Sequence, residues 1–276
     1  MTTSLSGTTI IMSGGSRGIG LAIATRAARD GANIALVAKT DRPDPRLAGT
    51  IHTAARAIEE AGGHALPIVG DIRDDETIAT AVEQTVAQFG GIDVVVNNAS
   101  VLNLSHSVDL DPKRYDLMQD VNVRGTFMLT RAAIPHLLAS PNPKVLTLSP
   151  PINLDPRWLS GHPAYTMAKY GMTLAALGFA HELGAKGISS TCLWPATLVA
   201  TDAIGNLPGG DQMVKVSRRP EIVADAAYEV LVTPGQALNG QTVVDEELLR
   251  SRGVEDFAPY SMTGRDEGLA PDLFIG

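Results

Sequence analysis

One stretch of this chain carries the main signal about its fold: Ser13-Gly14-Gly15-Ser16-Arg17-Gly18-Ile19-Gly20, set between an apolar run and an amphipathic run of helical period. Gly14 would permit a sharp turn off a strand, Gly18 a close approach of the backbone to a pyrophosphate, and Gly20 close packing of a helix on a sheet. The first N–H groups of that helix would point at the phosphates. The stretch predicts a dinucleotide-binding turn. For the glycine pattern alone, an ordinary glycine-rich turn is the alternative.

The composition indicates one globular domain over residues 1–276. Hydrophobic residues make up 44% of the 276 residues, which is enough for one large core. The net charge is −8, with no basic tract, which argues against nucleic acid as a partner. Cys192 is the single cysteine, and no run reaches the ~20 apolar residues of a membrane span. Because Met1–Gly7 does not resemble a secretion signal, we expect a cytoplasmic protein.

Apolar, β-rich runs alternate with runs of helical period along the chain. The predicted strands are Thr8–Met12, Asn33–Ala38, Ala65–Val69, Ile92–Val96, Lys144–Leu148, Ile188–Leu193 and Gln241–Val244. The predicted helices are Gly18–Asp30, Ile51–Ala61, Glu76–Phe89, Pro112–Leu138, His162–Leu183 and Pro220–Val232. The alternation predicts an α/β fold, a single Rossmann-type, doubly wound parallel sheet of about seven strands flanked by helices. Three irregular segments remain: a loop at Thr40–Gly49 with Pro43 and Pro45, a substrate cover at about 196–219 and a carboxyl-terminal arm at about 246–276.

The end of the second predicted strand bears on the choice of cofactor. NAD sites carry an acid there, about 20 residues beyond the glycines, which binds the ribose 2′-hydroxyl. In this chain Lys39 holds that place, and Arg17 lies within the glycine turn. Two cations would attract a 2′-phosphate, so the sequence predicts NADP(H) in preference to NAD(H). The alternative for Lys39 is a solvated lysine at a strand end.

Further motifs follow in a fixed order. They are Asp71, Asn97-Asn98-Ala99-Ser100, Asn122 and Tyr165-x-x-x-Lys169. With the glycine turn they resemble the short-chain dehydrogenase/reductase family over almost the whole chain. More narrowly, SPPINLDPRW (residues 149–158) and Leu193-Trp194-Pro195 resemble the group of hydroxysteroid dehydrogenase-like protein 2 and the bacterial citronellol/citronellal dehydrogenases. The resemblance implies hydride transfer between a nicotinamide and a carbonyl or alcohol, by a homotetramer or dimer.

Tyr165 and Lys169 lie one helical turn apart, so their side chains emerge side by side. Such pairs are common on exposed helix faces, which is the alternative for this pair alone. The resemblance implies that Tyr165 exchanges a proton with the substrate oxygen. It implies also that Lys169, with oxidised nicotinamide nearby, lowers the pKa of the phenol and binds the ribose. Asn122, within the predicted helix Pro112–Leu138, would anchor a water that leads to Lys169.

The serine of this family has no clear counterpart. It stands 13 residues before the tyrosine, where this chain has Ile152. Aligning the fifth strand without a gap places Pro150 there and Ser149 one residue earlier. Ser149 is therefore the candidate catalytic serine, and a cap at the strand end is the alternative.

The resemblance implies further cofactor contacts. Asp71 would accept from the adenine amino group, with Ile72 beside the ring, although an N-cap role is the alternative for Asp71. Leu198 or Val199, together with the Thr201 hydroxyl, would meet the carboxamide. The full predicted set is Gly14, Ser16, Arg17, Gly18, Ile19, Gly20, Lys39, Asp71, Ile72, Asn98, Ala99, Ser100, Lys169, Leu198 and Thr201.

Both tryptophans fall in segments expected to border the substrate. Trp158 and Trp194, with Leu102, Leu104, Leu159 and the stretch Leu198–Leu207, predict an apolar cleft. It would suit a medium-length or prenyl aldehyde, alcohol or ketone, or a fatty acyl or steroid carbonyl; for the tryptophans, core packing is the alternative. The histidines show no metal-ligand spacing, so we expect no metal. A catalytically silent NADP(H) sensor and a lipid- or sterol-handling module are the rival functions.

Overall fold

The computed structural model describes residues 4–44 and 47–276, so Pro45 of the predicted loop lies outside the described residues. Seven parallel strands form one sheet in the order β3-β2-β1-β4-β5-β6-β7. The strands are β1 (Thr9–Ser13), β2 (Asn33–Ala38), β3 (His64–Val69), β4 (Val94–Asn97), β5 (Lys144–Leu148), β6 (Ser189–Trp194) and β7 (Thr242–Val244). The predicted α/β class and doubly wound parallel sheet are confirmed.

Helices cover both faces of this sheet. They are α1 (Gly18–Ala28), α2 (Ile51–Glu60), α3 (Asp75–Phe89), α4 (Pro112–Met118), α5 (Gly125–Leu137), α6 (Pro156–Gly161), α7 (Pro163–Leu183), α8 (Asp202–Gly205), α9 (Gly210–Lys215), α10 (Glu221–Val232) and α11 (Asp245–Ser251). The predicted helix Pro112–Leu138 is confirmed over residues 112–137, but its middle part, Gln119–Arg124, is π-helical and separates α4 from α5. The short helices α6, α8, α9 and α11 were missed because one or two turns show little periodicity. Within the described residues, no helix has the length and apolarity needed to cross a membrane.

The apolar strands serve two cores at once. Successive strand residues point to opposite faces, so Ile10 and Ile11 of β1 enter different clusters. Ile10 lies in the cluster that includes Ile23 of α1 and Val223 of α10. Ile11 lies in the cluster that includes Leu129 of α5. This two-sided burial explains why the strands are almost continuously apolar.

The strand order reverses between β1 and β4. Ser13, the last residue of β1, pairs with Val37 of β2 on one side and with Asn97 of β4 on the other. In open parallel sheets, ligands bind in the crevice outside the carboxyl ends of the strands at such a reversal. The glycine turn before α1 and the segments after β4, β5 and β6 all lie at this edge.

Candidate active site

The glycine turn adopts a backbone that other residues would not tolerate. Gly14 has φ +75° and Gly18 has φ +56°, both in the left-handed region. A Cβ at Gly14 would lie 2.8 Å from the Ala99 Cα, so β1 and the segment after β4 meet directly. At Gly20 a Cβ would lie 2.5 Å from Asn98 Nδ2, so the close approach there is to that amide and to Gly14 O. The turn therefore depends on its glycines as a unit.

Asn98 and Ala99 hold this turn in place. Asn98 Nδ2 donates to Gly14 O at 2.6 Å, and the Ala99 N–H donates to Ser13 Oγ at 3.2 Å. The predicted cofactor residues Asn98 and Ala99 thus already support the turn from the neighbouring strand. Asn98 and Ser100 also line the cavity described below.

A cluster of charges surrounds Asp71 at the end of β3. Arg73 Nη2 lies 2.6 Å and Lys39 Nζ 3.0 Å from Asp71 Oδ2. The Arg73 hydrogen bonds, followed by the Lys39 contact, hold the pKa of the Asp71 carboxyl well below its usual range although partial burial acts in the opposite direction. Sequence reasoning missed Arg73, whose position two residues after Asp71 was the available signal.

Arg17 does not join this cluster. Its Nε donates to Ala48 O at 3.1 Å and its Nη2 to Gly49 O at 3.3 Å, while Asp202 lies 3.8 Å away. These contacts direct Arg17 to the loop before α2, and its predicted role beside Lys39 at a 2′-phosphate stays a prediction.

Tyr165 and Lys169 are buried on α7 and line one cavity of about 210 Å³. The Lys169 Nζ donates to Leu148 O at 2.6 Å and lies 4.9 Å from the centre of the Trp194 ring. Burial lowers the pKa of Lys169 to about 7, against a smaller opposing effect of the Asp272 charge. The ammonium is therefore poised to exchange protons near neutral pH.

The Tyr165 phenol behaves differently from the expectation. Its pKa lies well above the usual value, because burial disfavours the phenolate and the Asp272 charge adds to that effect. The expected lowering of this pKa therefore does not come from the groups of the protein, since Lys169 is directed to Leu148 O. Burial therefore favours the neutral phenol at Tyr165.

The cavity joins these two side chains to the nucleotide turn. Its lining residues are Ile19, Asn98, Ser100, Leu102, Leu104, Leu148, Tyr165, Lys169, Trp194, Pro195, Leu198, Val199, Thr201, Ala203, Ile204, Leu207, Met213, Asp272 and Leu273. The predicted lining by Trp194, Leu102, Leu104 and the stretch Leu198–Leu207 is thus observed. Most of the lining is apolar, as the sequence indicated.

Two predicted lining residues lie elsewhere. Trp158 on α6 packs against Phe274, with ring centres 5.8 Å apart, and is absent from the cavity lining. Leu159 is an exposed side chain on the same short helix. Trp158 instead packs against the apolar cluster that includes Tyr165 and Trp194, so its role as a substrate contact stays a prediction.

Asn122 lies in the π-helical segment and is fully buried. Its Oδ1 accepts from the Val101 N–H at 2.7 Å, and its Nδ2 donates to Val101 O at 3.1 Å. Both side-chain groups thus hold the segment after β4. A water leading to Lys169 would have to bind the backbone of Asn122 rather than its amide.

Ser149 is fully buried and lies outside the cavity lining. Its hydroxyl lies beside the Cys192 thiol and has no other hydrogen-bond partner among the described residues. Ile152, at the usual position of the family serine, is partly exposed. The structure therefore does not place Ser149 in the cavity lining. The residue directly follows β5 and is buried with that strand.

Hydrogen bonds in the segment after β6 bear on the predicted contact by Leu198 or Val199, which stays a prediction. The Leu198 N–H donates to Ala270 O at 2.9 Å, so that group is already used. Leu198, Val199 and Thr201 all line the cavity, as predicted for this segment. Val199 is therefore the better candidate for a backbone contact with the carboxamide of a nicotinamide.

The arm contributes to the site, which sequence reasoning missed. Asp272 and Leu273 line the cavity, and the Phe274 ring stacks on Tyr165 with ring centres 6.2 Å apart. The only signal was the apolar run Leu273-Phe274-Ile275 in an otherwise polar stretch. The predicted cover and arm meet over one cavity.

Comparison with known proteins agrees with this geometry. A family model described as short chain dehydrogenase matches residues 8–209. Hydroxysteroid dehydrogenase-like protein 2 of Danio rerio is 49% identical over 271 residues, which are 98% of this chain and 64% of that protein. The chain thus spans about 64% of the length of this relative.

Solved structures match at full length. A putative dehydrogenase from Xanthomonas campestris has a TM-score of 0.95 and 49% identity, covering 99% of both chains. A short chain dehydrogenase from Mycobacterium thermoresistibile has a TM-score of 0.93 and 54% identity, covering 99% of this chain and 96% of its own. More distant matches at 26% identity include one from Burkholderia cenocepacia in complex with NADP (TM-score 0.74) and an NADH-dependent reductase (TM-score 0.70). They cover 87% and 88% of this chain, and 96% of each of theirs.

Proposed function

This chain belongs to the short-chain dehydrogenase/reductase family of nicotinamide-dependent oxidoreductases, and we propose that it uses NADP(H) to interconvert an apolar alcohol and its aldehyde or ketone. One observation carries the proposal: Tyr165 and Lys169 line the same cavity as Ile19 and Thr201 of the nucleotide side. A proton donor and a cofactor platform thus face one space.

The residues at the glycine turn fit a dinucleotide. A Cβ at Gly18 would lie 3.3 Å from Thr201 Cγ2, so only a bare backbone leaves room between the turn and the cover. The turn and α1 would hold the pyrophosphate, Asp71 and Ile72 the adenine, and Val199, Thr201 and Lys169 the nicotinamide end. A bound nicotinamide coenzyme supplies or accepts the hydride.

The choice of NADP(H) rests on the charges around Asp71. Lys39 and Arg73 both contact that one carboxylate, so the cluster keeps a net positive charge. The Lys39 side chain is 62% exposed and can turn towards a 2′-phosphate without losing buried contacts. An acid at this place would repel the phosphate, whereas Lys39 and Arg73 attract it.

Proton transfer is assigned to Tyr165. The neutral phenol donates its proton to the carbonyl oxygen during reduction and accepts one during alcohol oxidation. Lys169, with its pKa lowered to about 7, supplies a nearby group that restores the proton near neutral pH. The buried site excludes water from both groups, which favours a directed transfer.

The substrate proposal rests on the apolar lining. Leu102, Leu104, Ile204 and Leu207 are among the apolar side chains that line the cavity, so an alkyl or prenyl chain fits better than a polyol. The polar end of the substrate would lie at Tyr165.

We further infer a homotetramer or dimer, located in the cytoplasm. Phe127 on α5 is 45% exposed and Leu174 on α7 is 62% exposed, and both helices are long enough to pair with another copy. Apolar side chains on adjacent helices favour association. Light scattering after size exclusion measures the assembly.

The decisive experiment compares Tyr165→Phe with Tyr228→Phe, a variant on α10 outside the cavity. NADPH consumption is followed with octanal, citronellal and 2-decanone, and NADPH and NADH affinities are titrated by fluorescence. We expect Tyr165→Phe to lower kcat by about 1,000-fold, with NADPH affinity unchanged, and Tyr228→Phe to behave as the parent. Turnover retained in Tyr165→Phe would overturn the proposal.

A further inference from the structure

The last residues of the chain form a carboxyl-terminal segment, residues 270–276, that crosses the cavity. The Asp272 N–H donates to Ala196 O at 3.1 Å, and Trp194 Nε1 donates to Leu273 O at 2.8 Å. Asn153 Nδ2 donates to Phe274 O at 3.3 Å. Elements following β5 and β6 therefore hold this segment across the opening.

Phe274 fixes the segment by packing. Its ring lies 5.2 Å from that of Tyr170, 6.1 Å from that of Trp194 and 6.2 Å from that of Tyr165, measured between ring centres. It is buried although its φ is +71°, a left-handed conformation that side chains other than glycine rarely adopt. Such a conformation persists where surrounding contacts over-determine it. The position of the neighbouring Asp272 is thus set rather than incidental.

The Asp272 carboxyl reaches the cavity that holds Tyr165 and Lys169. Its Oδ1 accepts from the Leu273 N–H at 2.6 Å, and no described cation forms an ion pair with it. Burial raises the pKa of this carboxyl to about 7, and the nearby Asp245 charge adds to the effect while Lys169 opposes it. A neutral carboxylic acid, which is a hydrogen-bond donor, is therefore accessible near neutral pH.

Besides Tyr165, no residue has so far been assigned as a hydrogen-bond donor to the reacting oxygen of the substrate. Reduction of a carbonyl develops negative charge on its oxygen, and two donors stabilise that charge better than one. Ser149 is buried outside the lining, and Ile152 offers no donor. The Asn98 amide is already bound to Gly14 O, and the two hydroxyl residues of the lining, Ser100 and Thr201, are assigned to the coenzyme.

Building on the proposed function, we propose that Asp272 is a further substrate-contacting residue. Its protonated carboxyl donates a hydrogen bond to the reacting oxygen beside the Tyr165 hydroxyl, in place of the family serine. Tyr165 transfers the proton, and Asp272 keeps its own throughout. Once ionised, Asp272 would repel the charge developing on that oxygen, so the reduction rate falls as its proton is lost.

The first test uses Asp272→Leu, which removes the donor at similar size, and Asp272→Asn, which keeps a donor without titrating. Glu255→Gln, an exposed acid of the same arm, is the matched control. With octanal and saturating NADPH, we expect kcat of Asp272→Leu to fall by about 100-fold. Asp272→Asn should keep most of its rate and lose the decline with rising pH. NADPH affinity should be unchanged in all three.

Tyr165→Phe, measured beside them, separates the two proposals. An inactive Tyr165→Phe with a fully active Asp272→Leu overturns the role of Asp272 alone. An active Tyr165→Phe overturns the function itself. A parent-like pH profile in Asp272→Asn also contradicts the inference.

A second readout needs no substrate. Ultraviolet difference absorbance of tyrosinate, with Tyr165→Phe as the blank, reports the titration of Tyr165 in the NADP-bound protein. The groups that bear on this titration are Asp272, Lys169 and Asp245, because the Asp272 charge acts on the phenol and is itself coupled to the other two. We expect Asp272→Asn to lower the pKa of Tyr165, since the variant removes a nearby negative charge. An unchanged pKa would place Asp272 away from the phenol and overturn the inference.

Discussion

The glycine turn and the carboxyl-terminal segment border the same cavity by opposite means. The turn works because side chains are missing: Gly14 and Gly18 adopt left-handed backbones that leave room for a ligand. The segment works through side chains, with Phe274 as anchor and Asp272 as the group offered to the cavity. The matched family model spans residues 8–209 and so includes only the turn. Cofactor binding is thus built from local backbone shape, and the chemistry around the substrate is completed by long-range packing.

The largest effect is expected at the turn. Gly14→Ala should lower the free energy of unfolding by about 4 kcal/mol, because the left-handed backbone and a contact with the Ala99 backbone both oppose a Cβ. Gly90→Ala is the control: its φ is +88°, but nothing lies within 4 Å of the new Cβ. That variant should lose only about 1 kcal/mol. Chemical denaturation measures both, and equal losses would show that the close approach is unimportant.

The segment should respond to the loss of its anchor. Phe274→Ala is expected to cost about 3 kcal/mol and to lower kcat, because a buried ring between Tyr165 and Trp194 is removed. NADPH affinity should stay unchanged, since the segment lies on the substrate side. Phe274→Leu, which refills most of the space, should recover the greater part. Hydrogen exchange of residues 270–276 locates the effect. Weaker NADPH binding would contradict the assignment of coenzyme binding to the turn and of substrate contacts to the segment.

A substitution of Lys39 should have the opposite effect: weaker NADPH binding with an unchanged kcat. Lys39→Ala is expected to weaken NADPH binding by about tenfold, which is about 1.4 kcal/mol, and to leave kcat and NADH binding unchanged. Lys113→Ala, at an exposed position on α4, is the control. Fluorescence titration with both coenzymes decides the matter. Parallel losses for NADPH and NADH would show that Lys39 does not contact the 2′-phosphate.

Two acids near these regions, Asp245 and Asp71, should also differ in how the stability that they contribute depends on pH. Burial raises the pKa of Asp245, at the start of α11, to about 6. Its stabilisation is full below the unfolded pKa of 3.8 and is lost as pH rises through about 6. Asp71 is the opposite case, because Arg73 lowers its pKa, so its contribution is present above 3.8 and lost in acid.

Asp245→Asn tests this difference. The Asp245 Oδ1 accepts from the Ala196 N–H at 2.8 Å, and an amide oxygen can keep that bond. The variant should remove a loss of stability of about 2 kcal/mol between pH 4 and pH 7. Asp71→Asn should leave that window unchanged. Denaturation series across pH measure both, and an identical profile in Asp245→Asn and the parent would show that Asp245 does not titrate there.

The smallest effect is expected at Ser149. Ser149→Ala should change kcat little and stability by less than about 1 kcal/mol, because its buried hydroxyl has no partner besides the Cys192 thiol. Thr147→Val, a buried neighbour on β5 whose hydroxyl contacts Asn97, should cost more. A large fall in kcat for Ser149→Ala, with NADPH affinity unchanged, would restore it as the catalytic serine.

Much of the fold could be predicted because its signals are local. Strands buried on both faces, such as β1, read as short apolar runs between helical periods. Tyr165 and Lys169 could be found for the same reason, since their spacing places them on one face of α7. The π-helical turn between α4 and α5 could not be predicted, because it leaves the apolar pattern nearly unchanged.

The remaining parts of the site depend on contacts between distant residues. Asp272 enters the cavity through bonds to Ala196 and through the packing of Phe274, which no spacing along the chain encodes. Ser149 illustrates the reverse: its position in the sequence suggested chemistry, but β5 carries it into the core. Pairing of Lys39 with Asp71 across two strands is likewise a tertiary event.

The π-helical segment Gln119–Arg124 determines the direction in which nearby side chains point from the helix axis. In an α-helix each residue advances the chain by about 100° around the axis, and a π-turn accommodates roughly one residue more. Deleting one residue there would restore regular α-helical hydrogen bonds between α4 and α5, while the two helices kept nearly the same angular relation. The Asn122 amide would move away from Val101, and the segment after β4 would lose the two hydrogen bonds that hold it. One extra residue in this long helix thus places the Asn122 amide where it can bind the segment after β4 that borders the cavity.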